Sequence, residues 1–150
     1  MKLLVPPPIY ALVCAFAIWL LNQYFPTFEY RFSVQTLLAS LLIILGVSMD
    51  LLSIRRFFKI GTTVSPVSPQ NTEALVTEGV YSISRNPMYL GLLFILTGIA
   101  IWAGNLLGLL TIPVFVFLIT KFQIIPEEEI LLEKFGEVYG NYLMKVRRWI

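Results

Sequence analysis

The sequence predicts an all-α integral membrane protein: about four transmembrane helices followed by a cytoplasmic amphipathic helix, all in one domain. Three observations predict it. Of the 150 residues, 57% are hydrophobic and only 13% charged, against about 25% charged in soluble domains. The mean hydropathy is +0.79. The apolar residues also fall into runs of the length that crosses a hydrocarbon core, about 17–25 residues for a helix.

The spans follow in order. The first, 9–25, is opened by Pro6-Pro7-Pro8 and closed by Pro26, and the second is 34–52. The apolar stretch 88–125 is too long for one helix. Gly104-Asn105 divides it into 88–103 and 106–125, a tight antiparallel hairpin with a kink expected at Pro113. The connector 53–87 is polar, with an ordered, membrane-hugging segment expected toward its end. The tail, 126–146, changes period. Leu131, Phe135, Val138, Tyr142 and Val146 recur at three and four, with charged residues between them, which is the pattern of an amphipathic helix. Pro126 and the three glutamates after it suit that helix's positive N-terminal end.

Charge assigns the sides. Lys2, Arg55, Arg56, Lys59, Arg85, Lys121, Lys134, Lys145, Arg147 and Arg148 fall on one side of this arrangement, and only Arg31 on the other. The positive-inside rule puts both termini and the connector in the cytoplasm. Short length and the lack of histidine point to a prokaryotic inner membrane. Lys2 before an apolar run raises the question of a signal peptide, but the only Ala-x-Ala, at Ala15–Ala17, lies inside the run, so the segment reads as a retained span.

Composition also excludes. A net charge of +2 without a basic stripe gives no reason to expect nucleic acid. The absence of histidine removes the commonest general base and the commonest zinc ligand, so no metal is expected. The lone Cys14 cannot form a disulfide within the chain and reads as packing.

The polar residues at the membrane lip need explaining. In "SRNPMYLG", residues 84–91, Arg85 reads as a snorkelling, topology-setting arginine, Asn86-Pro87 as a helix start, and Tyr89 as an aromatic-belt residue. Gly91 and Gly98 read as a close-packing face. Glu127, Glu128 and Glu129 can simply oppose the helix dipole. The hairpin nevertheless sets the basic start of the third span beside the acidic end of the fourth. That brings Arg85, Asn86 and Tyr89 near Glu127 and Glu128. Asp50, at the cytoplasmic end of the second span, is expected to pair with Arg55 or Arg56.

At these residues the chain resembles the isoprenylcysteine carboxyl methyltransferase family and the wider group that includes phospholipid methyltransferases. "LVTEGVYSISRNPMYLG" (75–91), then two spans, then "PEEEILLEKFGEVYGNYLMKVRRWI" (126–150) carry the likeness. Gly-x-Tyr, Arg-x-Pro-x-Tyr-x-Gly, Glu-Glu, Phe-Gly-x-x-Tyr-x-x-Tyr and Val-x-Arg-Trp stand in the family's order. The resemblance implies S-adenosylmethionine-dependent methyl transfer to a lipid or lipophilic small molecule at the cytoplasmic face, on a non-Rossmann site. It implies that Arg85, Asn86, Pro87, Tyr89 and Gly91 line the cofactor site, with Tyr81 and the Gly79 turn beside it. Glu127 and Glu128 match the Glu-Glu motif, though Glu129 leaves the register open by one. Arg85 and Glu128 would be the catalytic pair, and Tyr139 and Tyr142 would hold the tail in place. Many members carry histidine where this chain has Asn86, so a histidine base is impossible here. The alternatives are a nicotinamide-dependent membrane reductase of related architecture and a non-catalytic membrane scaffold. Substrate contacts are expected on the first two spans and on 61–71.

Overall fold

The computed structural model describes residues 5–61 and 74–150, so the substrate-contacting stretch expected at 61–71 lies outside the described residues apart from Gly61. The chain forms α1 (Pro7–Tyr24), α2 (Gln35–Ile60), α3 (Pro87–Ala103), α4 (Leu106–Leu109), α5 (Thr111–Ile119) and α6 (Ile125–Lys145), with a π-helical turn, Thr120–Ile124, joining the last two. No strand occurs among the described residues, only an isolated bridge between Glu29 and Asn105.

Among the described residues, three helical stretches are long and apolar enough to cross a bilayer: Pro7–Tyr24, Gln35–Lys59 and Leu106–Lys145. α3 is apolar but shorter, at 17 residues. Large apolar side chains point outward along these helices, among them Leu12, Phe16, Leu41, Ile44 and Phe117. An apolar surface of this extent marks a membrane-facing exterior. The protein is an all-α integral membrane protein, its described residues forming helices and no strand. A helix satisfies its own backbone groups where no water can.

Each boundary has a local cause. Proline occupies the first turn of α1, α3 and α6, where a missing N–H costs nothing. Gly61 and Gly104 end α2 and α3 at φ 74° and 72°, in the left-handed region that a side chain disfavours. Asn105 caps α4 by accepting from the Leu107 N–H at 2.9 Å. The helix is interrupted at Leu110, three residues before Pro113, which falls in the first turn of α5. There its lack of an N–H is harmless. α6 then runs on from the apolar segment and bends at Gly136, whose backbone leaves the helical region at φ 52°.

The core gathers α1, α3 and α5 around Ile18, Leu96, Ala100, Phe115 and Ile119, all with almost no exposure. α2 packs along α3 more closely still. A Cβ at Gly98 would come within 2.8 Å of the Ala39 carbonyl oxygen, and Gly46 faces Gly91 in the same way. Small residues let helix backbones approach where lipid offers no hydrophobic drive. This is the packing expected of Gly91 and Gly98.

Candidate active site

At the end of the bundle where α3 and α6 begin, a cavity of about 450 Å³ opens between α2, α3 and α6. Small-molecule sites fall in the range of about 300–1,000 Å³. Its walls mix apolar side chains, such as Ile54, Phe57, Leu92 and Leu131, with Asp50, Arg85, Glu127 and Glu128.

Arg85 and Asn86 sit in the last residues before α3, fixed by the C-terminal segment. The Arg85 N–H donates to the Arg147 carbonyl at 3.0 Å, and the Asn86 side-chain amide donates to that of Arg148 at 2.9 Å. The Ser84 hydroxyl reaches the Arg148 carbonyl as well, at 3.3 Å. The tail is thus strapped across the lead into α3. α6 contributes the acids. Glu128 takes Arg85 at 2.8 Å and is gripped by two nitrogens of Arg148, at 2.6 and 3.2 Å. That grip raises the Arg148 pKa. Glu127 accepts from the Tyr89 hydroxyl at 2.8 Å. Burial, reinforced by the neighbouring Glu128 charge, pushes the Glu127 carboxyl up to about 7, against the pull of the Tyr89 hydrogen bond.

A second layer holds these groups in place. Tyr142 donates to the Tyr81 carbonyl at 2.6 Å. The Tyr81 ring meets Phe57 of α2 edge-on at 5.6 Å. Burial raises the phenol pKa of Tyr81, Tyr139 and Tyr142, so all three are neutral donors at physiological pH. The turn that presents Tyr81 starts at Gly79, φ 65°, where a Cβ would strike the Arg56 guanidinium at 2.6 Å.

Of the residues expected to form a site, Tyr81, Arg85, Asn86, Pro87, Tyr89, Glu127 and Glu128 all line this cavity. Gly91 does not. It lies one turn further along α3, against Gly46 and Asp50 of α2. Glu129 is exposed, so the acidic pair facing the cavity is Glu127 and Glu128. Asp50 requires a correction. Its carboxylate has no ion pair among the described residues, because Arg56 turns to Glu78 at 3.6 Å while Asp50 faces the cavity. The Asp50, Ile54, Phe57 spacing of four and three carried that signal, since it sets all three on one helix face. The prolines that open α1 also line the cavity, a role beyond starting a helix. Arg148, read only as a basic tail residue and part of the closing motif, turns out to hold Glu128.

Comparison with known proteins agrees with this picture. No solved structure matches the chain. An uncharacterised protein of Haemophilus influenzae is 48% identical over 63 residues, covering 42% of this chain and all of that protein. The Saccharomyces cerevisiae protein-S-isoprenylcysteine O-methyltransferase is 32% identical over 114 residues, covering 74% of this chain and 46% of the yeast enzyme. The alignment therefore spans just under half of that relative. Residues 34–138, which run from the start of α2 through the acidic pair and into the tail, match the phospholipid methyltransferase family, and the chain belongs to that family.

Proposed function

We propose that this protein transfers a methyl group from S-adenosylmethionine to a lipid or lipophilic acceptor at the cytoplasmic face of the membrane. The observation that carries the reading is the cavity at one end of the bundle that unites Arg85, Tyr89, Glu127 and Glu128. The family and the activity of the yeast relative support it.

The residues fit the cofactor. Arg85 keeps one guanidinium nitrogen, Nε, buried without a partner among the described residues, and Arg148 already balances Glu128. The other two nitrogens of Arg85 reach the Leu143 carbonyl at 3.1 Å and Glu128 at 2.8 Å, so Arg85 can offer its Nε–H to the cofactor's carboxylate. Glu127 and Glu128 are the acceptors for its amino group and ribose hydroxyls. The Tyr89 ring offers a π face to a cation. Bound there, the cofactor supplies a methyl group already activated on a positive sulfur. The chain's task is to orient the acceptor and keep water out. Holding the partners at attack distance can supply about 7–11 kcal/mol of the barrier. The cationic residues Arg55, Arg56, Arg85, Arg147 and Arg148 gather on the cavity side of the sequence order, which supports a cytoplasmic cavity and cytoplasmic termini.

A titration of the detergent-purified protein with S-adenosylmethionine, S-adenosylhomocysteine and NADPH tests the reading. Saturable binding of the first two is expected. Binding of NADPH alone would favour a reductase, and binding of none a scaffold.

A further inference from the structure

We propose that Gln123 is a positioning residue: its side-chain amide pins the Pro6-Pro7-Pro8 run that walls the cavity, and that pin keeps water out and the bound ligand in. The proposal rests on the methyltransferase reading above and deepens it.

The first support is where Gln123 sits. It belongs to the π-helical turn, Thr120–Ile124, that joins α5 to α6. Turns of this kind are rare and fall frequently at functional sites. Gln123 and Ile124 are buried in it, while Lys121, Phe122 and Ile125 are exposed. The Gln123 side chain is 1% exposed, and its amide donates to the Val5 carbonyl, 118 residues away in sequence. Glu127 follows about one turn later. The residue that reaches the wall and the acid that faces the cavity thus leave the same irregular stretch of chain.

The second support is the wall itself. Pro6, Pro7 and Pro8 line the cavity on its α1 side, and Pro7 is almost wholly buried. Proline has no N–H, so this run can donate no backbone hydrogen bond to its surroundings. Hydrogen bonds can hold it only through carbonyls, and the carbonyl at its leading edge is that of Val5. Among the described residues, Gln123 supplies the one hydrogen bond that ties residues 5–8 to another helix.

The third support is a cost. The Oε1 of Gln123 is buried with no partner among the described residues. An unpaired buried acceptor is unfavourable, and an apolar side chain of similar size would avoid the penalty. What the amide adds at this position is its donor.

A consequence follows for Glu127. Its raised pKa is owed chiefly to burial. The titratable groups that interact with it are Tyr89 of α3, Tyr81 ahead of α3, and Glu128 and Tyr139 of its own helix. A loosened wall admits water beside this acid and returns its pKa toward the ordinary value.

The test uses the full chain in detergent and three variants. Gln123→Met keeps the volume and loses the donor, Pro6→Gly loosens the wall without altering Gln123, and the third carries both changes. All should still bind S-adenosylhomocysteine. Its dissociation from Gln123→Met should be about five- to tenfold faster, the scale of one hydrogen bond. The pH midpoint of S-adenosylmethionine affinity should move below the wild-type value, a shift that general loss of stability would not produce. Pro6→Gly should change both readings in the same direction. The double variant should be no worse than Gln123→Met, because both changes act through one wall. Wild-type dissociation and midpoint in Gln123→Met overturn the proposal, as do fully additive effects. Should Gln123→Met fail to fold, wild-type dissociation and midpoint in Pro6→Gly overturn it. Absence of S-adenosylhomocysteine binding in the wild type removes the methyltransferase reading instead.

Discussion

The two ends of this helical bundle differ in what they leave unpaired among the described residues: a neutral amide oxygen, Asn22 Oδ1, at one, and charged groups, besides the Gln123 amide oxygen, at the other. At the end holding the hairpin turn, the Gln35 amide donates to the Ile101 and Trp102 carbonyls at 2.7 and 3.3 Å. Asn105 there donates to the Phe25 carbonyl at 2.9 Å while capping α4. Both side chains serve backbone groups that the helix ends leave open. At the opposite end, Asp50 Oδ1 and the Nε of Arg85 are buried with no partner among the described residues, and Glu127 is held above its ordinary pKa. One end is stitched for stability. The other keeps charge in reserve for a ligand, and titratable groups displaced from their ordinary values cluster at functional sites.

The sharpest way to break this contrast is Glu128→Ala. It removes the counter-ion of Arg85, whose side chain is only 11% exposed, and leaves the guanidinium only its hydrogen bond to the Leu143 carbonyl among the described residues. Removing one partner of a buried pair costs about 3–5 kcal/mol. Thermal unfolding in detergent should show that loss, and S-adenosylhomocysteine binding should vanish. At the stitched end, Gln35→Ala should cost about 1–3 kcal/mol, the penalty for carbonyls left unpaired. It should leave S-adenosylhomocysteine affinity untouched. Equal effects of both variants on binding would erase the distinction between the ends.

A milder probe is pH. Because Glu127 sits at about 7, the protein carries its neutral form below that value, and a cationic ligand favours the ionised form. Affinity for S-adenosylmethionine should therefore rise up to about tenfold per pH unit below neutrality and level off above it. Glu127→Gln should flatten the profile. The same linkage has a stability side. The contribution of the neutral carboxyl is complete below the ordinary 4.5 and fades as pH climbs through about 7. The smallest effect belongs to Tyr142→Phe, which removes only the bond to the Tyr81 carbonyl. It should cost about 0.5–1.5 kcal/mol, read as a lower unfolding temperature with weaker S-adenosylhomocysteine binding as Tyr81 loosens.

Much of the architecture was already written in local chemistry. Apolar run length and proline or glycine punctuation mark where helices start and stop, and these signals need no partner to act. The hairpin at Gly104-Asn105 forces the start of α3 beside the start of α6, so the meeting of Arg85 with Glu128 and of Tyr89 with Glu127 followed from chain order alone. The interruption at Leu110 lies in the turn before Pro113, where a proline disturbs the helix. Tertiary packing decided the rest. Asp50 has arginines within a turn or so in sequence, yet α2 turns it toward the cavity and α3 makes room for it at Gly91. Arg148 finds Glu128 only because the tail folds back across Ser84–Asn86. A sequence fixes which residues carry charge and how each helix is wound. Which charges are answered and which wait for a ligand depends on neighbours from distant segments, and only the packed helices supply those.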